Sequence, residues 1–206
     1  MKYKNIIFDV DGTLINTTAA NLLSLQEILL LEGKSNFTLE DLAHFDGLPG
    51  LYVLEQLSVD NIKEKHRQWL ELTSHRKYMF EIYYGIHATL KILKTAGANL
   101  AIVTSRNMEE ITSDPKLDQL SPYFDILVSS DHTTKHKPNP EPLLYALEQG
   151  RYNIEDTLYV GDSIYDFQAA CAAQLVFAKA SWGLKSFDIR VQDYALKEPM
   201  SLLNIL

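Results

Sequence analysis

Near the amino terminus the apolar run Ile6-Ile7-Phe8 breaks into Asp9-Val10-Asp11-Gly12-Thr13-Leu14. β-Branched and aromatic residues that end abruptly in two acids and a glycine describe a buried strand surfacing at the edge of a sheet. Side chains two apart on a strand share a face, so Asp9 and Asp11 point the same way with Cα atoms about 6.6 Å apart, near enough for one substrate to touch both. An EF-hand calcium loop would want its glycine sixth and a glutamate twelfth, after a helix. Here Gly12 is fourth and no helix precedes Asp9. Other strand tips add to the pair. The strand through Val103 ends in Thr104-Ser105-Arg106, and the strand through Val160 ends in Gly161-Asp162-Ser163, with Asp166 one helical turn on and on the same face as Asp162. Lys137 stands before Pro138-Asn139-Pro140 at the start of a helix.

Taken singly, these residues have plainer uses: Thr104 and Ser105 as a helix cap, Asp162 as an N-cap, Lys137 as a solvated loop lysine. Together they bring four acids, a hydroxyl and a lysine to one edge. Four carboxylates in one crevice repel one another, and two must take up protons unless a divalent cation lies among them. Oxygen-only ligands at a site suited to phosphate point to Mg2+.

The elements that must position these groups follow from periodicity. Strands are expected at Asn99–Val103, Asp125–Val128, Thr157–Val160 and Leu175–Ala178, with helices at 86–96, 140–150 and 163–173 between them. This alternation predicts an α/β, Rossmann-like parallel sheet flanked by helices, whose ligands bind beyond the carboxyl ends of the strands. Between residues 16 and 80 the pattern is helical throughout. Helices are expected from Thr17 to Leu31, from an N-cap at Thr38, over Tyr52–Leu57 and from Asp60, with Gly47-Leu48-Pro49-Gly50 as a breaker. The chain therefore divides into a discontinuous α/β core, 1–15 and 82–206, and an inserted all-helical domain, 16–81. A short strand or turn after Asp193 and a final helix from Pro199 complete it.

Composition bounds the partners. The 206 residues are 46% hydrophobic and 22% charged, ordinary globular material. The lone Cys171 excludes an internal disulfide and a cysteine-built zinc site and suits a reducing, cytoplasmic setting. His132 and His136, beside Lys137, make a poor zinc pair. The apolar runs fall far short of a membrane span, and the opening Met1-Lys2-Tyr3-Lys4 has no export signal. A net charge of −8 disfavours nucleic acid. An anionic substrate must therefore be received locally.

Four segments in order, Asp9-Val10-Asp11-Gly12-Thr13, Val103-Thr104-Ser105, Lys137-Pro138 and Gly161-Asp162-Ser163-Ile164-Tyr165-Asp166, make the chain resemble the haloacid dehalogenase superfamily, in its phosphatase branch with a small helical cap. Within it the likeness is to phosphoglycolate phosphatases and related small-molecule phosphatases, with Tyr84-Gly85-Ile86 and Trp182-Gly183 near similar turns. The resemblance, with the chemistry, implies roles. Asp9 attacks phosphorus, forms an aspartyl-phosphate and offers its other oxygen to the metal. Asp11 protonates the leaving oxygen and then takes a proton from water, its pKa poised upward by neighbouring acids, and its backbone carbonyl joins the metal. Thr104, with the amides of Ser105 and Arg106, holds the phosphoryl group, and Lys137 neutralises it. Asp162 binds the metal directly, while Asp166 orients Lys137 or metal waters.

The same resemblance makes 16–81 a cap that closes and excludes water, with Gly47-Leu48-Pro49-Gly50 as its specificity loop. Asn16-Thr17 departs from the aspartate and serine that many relatives carry, a change that bears on cap closure or sugar recognition. The implied activity is Mg2+-dependent hydrolysis of a small phosphorylated metabolite by a monomer or homodimer. Two other readings stand beside it: a phosphosugar mutase of the beta-phosphoglucomutase kind, and a phospho-accepting regulatory switch. The inserted helical domain and the acid two residues past the acceptor disfavour the switch.

Overall fold

A computed structural model describes residues 1–46, 48, 50–183 and 187–205. In chain order the elements are β1 Asn5–Phe8, β2 Ile15–Asn16, α1 Thr18–Leu31, α2 Leu39–Ala43, α3 Gly50–Gln56, α4 Ile62–His75, β3 Glu81–Ile82, α5 Ile86–Thr95 and β4 Asn99–Val103. There follow α6 Met108–Thr112, α7 Pro115–Leu120, β5 Ile126–Val128, α8 Glu141–Gly150, β6 Thr157–Gly161, α9 Ile164–Ala172, β7 Val176–Ala180 and β8 Tyr194–Leu196. The chain forms two compact units: Met1–Asn16 with Ile82–Leu206, and Thr17–Glu81.

The larger unit is a six-stranded parallel sheet in the order β5-β4-β1-β6-β7-β8. The first strand of the chain thus lies inside the sheet, with Phe8 in register with Ile102 on one side and Val160 on the other. Strand alternation turns Ile7, Ala101, Tyr159 and Phe177 into a core completed by Leu143, Ala146 and Leu147 of α8 and Ala169 and Ala170 of α9. Ile6, Phe8, Leu100 and Ile102 alternate to the opposite face and are equally buried. Each such side chain contributes about 1.5–3 kcal/mol by leaving water, so the sheet is a rigid platform for its tips.

The smaller unit packs α1 to α4 around Leu25, Ile28, Leu42, Val53, Leu54 and Trp69. The Trp69 indole N–H donates to the Asn21 carbonyl at 2.9 Å, and Arg76 reaches Ser24 and pairs with Glu27. Thr38 caps α2 in a reciprocal box with Asp41, as its type predicts. Gly50, expected to break a helix, instead opens α3, since helix-breaking residues are tolerated in a first turn whose N–H groups have no intrahelical partner. Gly47 and Pro49 lie outside the described residues. The segment from Pro199 to Asn204 is a 3-10 helix rather than an α-helix. Among the described residues no helix is long and apolar enough to cross a membrane.

Candidate active site

Asp9 is the first residue past β1, and its N–H still donates to the Val160 carbonyl at 2.9 Å, which carries the sheet's order to the tip. The chain then turns tightly: the N–H groups of Thr13, Leu14 and Ile15 all donate to the Val10 carbonyl, and Gly12 takes φ +79°. Glycine is demanded there twice, by that backbone angle and because a Cβ would collide with the Asp162 carboxylate. A Cβ at Gly161 would likewise run into Asp166. After β7 the chain is tied to this turn by the Trp182 indole N–H, which donates to the Thr13 carbonyl at 3.0 Å.

Three buried carboxylates, Asp9, Asp162 and Asp166, present oxygens within 4.8 Å of one another. Lys137 is buried with them, and its Nζ donates at 2.7 Å to Asp9 Oδ1 and at 2.7 Å to Asp166 Oδ1. Asp166 also accepts the Tyr159 hydroxyl at 2.6 Å and, on Oδ2, the Ser163 N–H at 3.0 Å and the Ser163 hydroxyl at 2.5 Å. Burial opposes its charge, but Lys137, Ser163 and Tyr159 together hold its pKa below the ordinary carboxylate value. Lys137 stays firmly charged because its two acids outweigh the cost of burial. Asp9 differs. Burial first, then the charges of Asp166, Asp162 and Asp11, push it up to about 8, with Lys137 pulling the other way.

The donor set fits a small hard cation. Both oxygens of Asp166 are committed to protein donors, whereas among the described residues Asp9 engages a donor through Oδ1, so Asp9 Oδ2 and Asp162 are the carboxylates placed to hold the ion. A divalent charge there would reverse the pressure that keeps Asp9 protonated.

Asp11 goes elsewhere. Its carboxylate stands outside the three-acid group and receives the Arg106 fork, Nε to Oδ2 at 2.8 Å and Nη2 to Oδ1 at 2.7 Å. Its expected acidic neighbours are replaced at closest range by a guanidinium. Thr104 is buried at the tip of β4, and its hydroxyl oxygen accepts the Arg106 N–H at 3.2 Å. That amide is therefore engaged within the loop, while Ser105 is exposed. Tyr159 and Asp114, both tied into these networks, are not residues that sequence reasoning singles out. Asp114 has a local signal in Asp114-Pro115, an N-cap followed by proline at the first helical position.

The profile of the haloacid dehalogenase-like hydrolases matches residues 6–180. The chain belongs to that family. It is 32% identical over 213 residues to pyrophosphatase PpaX of Bacillus mycoides, covering 100% of this chain and 98% of the relative. It is 30% identical over 213 residues to pyrophosphatase PpaX of Bacillus thuringiensis, covering 100% and 97%. Among solved structures, a Lactobacillus plantarum protein provisionally named a phosphoglycolate phosphatase superposes with a TM-score of 0.88 at 27% identity, over 100% of both chains. The fold is also that of CbbY from Rhodobacter sphaeroides, solved as a mutant in complex with xylulose-(1,5)bisphosphate, at a TM-score of 0.74 and 20% identity, covering 96% and 95%.

Proposed function

We propose that this hydrolase is a Mg2+-dependent phosphatase that cleaves a small phosphorylated metabolite through an aspartyl-phosphate on Asp9. The observation that carries the reading is the Asp9 carboxylate, buried at the tip of an interior strand, with Oδ1 accepting from Lys137 and an oxygen within 4.8 Å of the Asp162 and Asp166 carboxylates. A carboxylate so held attacks phosphorus through one oxygen as the bond to the leaving oxygen breaks, and water then attacks the phosphoaspartate to release inorganic phosphate. Asp11 gives the leaving oxygen its proton and later takes one from that water. The Thr104 hydroxyl, whose lone pair is occupied by an N–H, turns its hydrogen to the phosphoryl oxygens beside the Ser105 amide. Lys137 balances their charge, and Asp166 with Tyr159 fixes Lys137. Mg2+, held by Asp9, Asp162 and the Asp11 backbone carbonyl, would supply positive charge at the phosphoryl group.

The smaller unit, Thr17–Glu81, is the proposed cap that selects the substrate, and the enzyme acts as a monomer or homodimer in the cytoplasm. Phosphoglycolate and related phosphomonoesters are one substrate class. Pyrophosphate is a second, supported by the full-length likeness to pyrophosphatase PpaX. A screen with Mg2+ of pyrophosphate, phosphoglycolate, sugar phosphates and nucleotides, ranked by kcat/KM, decides between them. Isomerisation of glucose 1-phosphate in the presence of a bisphosphate primer, without free phosphate, would make the protein a mutase instead. A phosphoaspartate that persists for many minutes without turnover would make it a switch.

A further inference from the structure

Arg106 is held more tightly than a side chain that merely greets a substrate. Its backbone is pinned at both ends, with the N–H donating to Thr104 Oγ1 at 3.2 Å and the carbonyl accepting from the Ser130 N–H at 2.9 Å. Its Nη1 donates to Asp114 Oδ2 at 2.5 Å, and Asp114 has no exposed surface. The other Asp114 oxygen caps α7 through the N–H groups of Lys116, at 2.8 Å, and Leu117, at 3.3 Å. One edge of the guanidinium is thus locked to a helix terminus. The remaining edge offers Nε and Nη2 as a planar fork, and Asp11 fills it with both oxygens. The Asp11 side chain is 42% exposed, so packing alone does not choose its rotamer. A two-point contact with a rigid partner does choose it.

We propose that Arg106 is a positioning residue that, braced on Asp114, sets the rotamer of Asp11 for proton transfer to and from the reacting oxygens. The inference rests on the role given above to Asp11. A lysine at position 106 keeps the charge and loses the fork, so Asp11 swings. Misplacing a reacting group by about 1 Å can cost about a hundredfold in rate.

The experiment compares the wild-type chain with Asp11→Asn, Arg106→Lys and the double variant, using p-nitrophenyl phosphate and Mg2+. Arg106→Lys is expected to lower kcat by about tenfold to a hundredfold and to lower KM with it, since the aryl leaving group spares the first step and the loss falls on the second. The double variant should be no worse than Asp11→Asn alone, because the arginine acts only through that carboxylate. Phosphorylated Asp9 should accumulate in Arg106→Lys, seen by intact mass, as the water-activating step slows. A merely structural arginine would multiply its loss onto that of Asp11→Asn, and an arginine that grips phosphate would raise KM with kcat kept; either result overturns the inference, as does a gain in kcat. If Arg106→Lys does not fold, Asp114→Asn carries the same test with a smaller loss of kcat that vanishes in the Asp11→Asn background. Wild-type kcat in Asp11→Asn would instead overturn the proposed function of Asp11 itself.

Discussion

Two cation–carboxylate clusters flank the tip of β1, and they differ in what burial does to them. On one side Lys137, a compact point charge, lies between Asp9 and Asp166 with all three side chains out of water. On the other Arg106 spreads a planar fork between the buried Asp114 and the half-exposed Asp11. A buried charge that loses its partner has nowhere to find another, whereas Asp11 can turn to solvent or substrate. The first cluster therefore holds one arrangement, and the second is built around a group that can leave its partner.

The largest effect that separates the two sides is expected from Asp9→Asn. It should cut phosphate release by at least about 10³-fold and leave the circular dichroism spectrum unchanged. Phosphatase activity retained on an aryl phosphate would remove Asp9 from the chemistry. Next comes Lys137→Met, which strands two buried acids. It should abolish turnover and destabilise the larger unit by about 3–5 kcal/mol, read as a loss of chemical-denaturation midpoint. A midpoint unchanged by this substitution would mean that the cluster is wetter than its burial indicates.

The pH response sharpens the contrast further. Asp9 binds its proton up to about pH 8 in the folded chain and only to its ordinary 3.8 when unfolded, so the folded state holds the extra proton and stability from this group falls as pH rises between those values. Asp166, held low, works the other way: its contribution is present above its ordinary range and lost only in acid. On the proposed function Mg2+ would compete with the proton on Asp9, and the rise in melting temperature on adding Mg2+ should then be larger at pH 8 than at pH 6. Equal shifts at the two values would detach the metal from Asp9. The smallest effect is expected from Tyr159→Phe, which removes one of several donors to Asp166 and should cost about 1 kcal/mol and less than about tenfold in kcat. A larger loss would make the tyrosine hydroxyl a principal brace of Lys137.

The difference between the clusters also marks where sequence reasoning reaches. Strand tips are legible because a β-branched run that stops at an acid has one physical meaning, which is why Asp9, Thr104 and Asp162 can be put at one sheet edge without coordinates. The Lys137–Asp9 pairing spans 128 positions and is approachable from sequence only as charge balance. The Arg106–Asp11 fork spans 95 positions, and nothing in the local pattern says whether an arginine after a strand tip turns to solvent, phosphate or carboxylate. Tyr159 reads as a core strand residue, and its ring is one, but its hydroxyl emerges beside Asp166 because the strand ends two residues later. The helices α6 and α7 are too short for a period to declare itself, although Asp114-Pro115 marks the start of the second.

The order of strands in the sheet has a consequence for how the protein is made. The segment Asn5–Phe8 leaves the ribosome well ahead of its neighbours in the finished sheet, residues 99–103 and 157–161. At ordinary translation rates this strand waits on the order of ten seconds for its second flank to be synthesised. During that interval an apolar segment with two open edges must avoid wrong partners, and the intervening Thr17–Glu81 unit, whose contacts are local, can fold ahead of it.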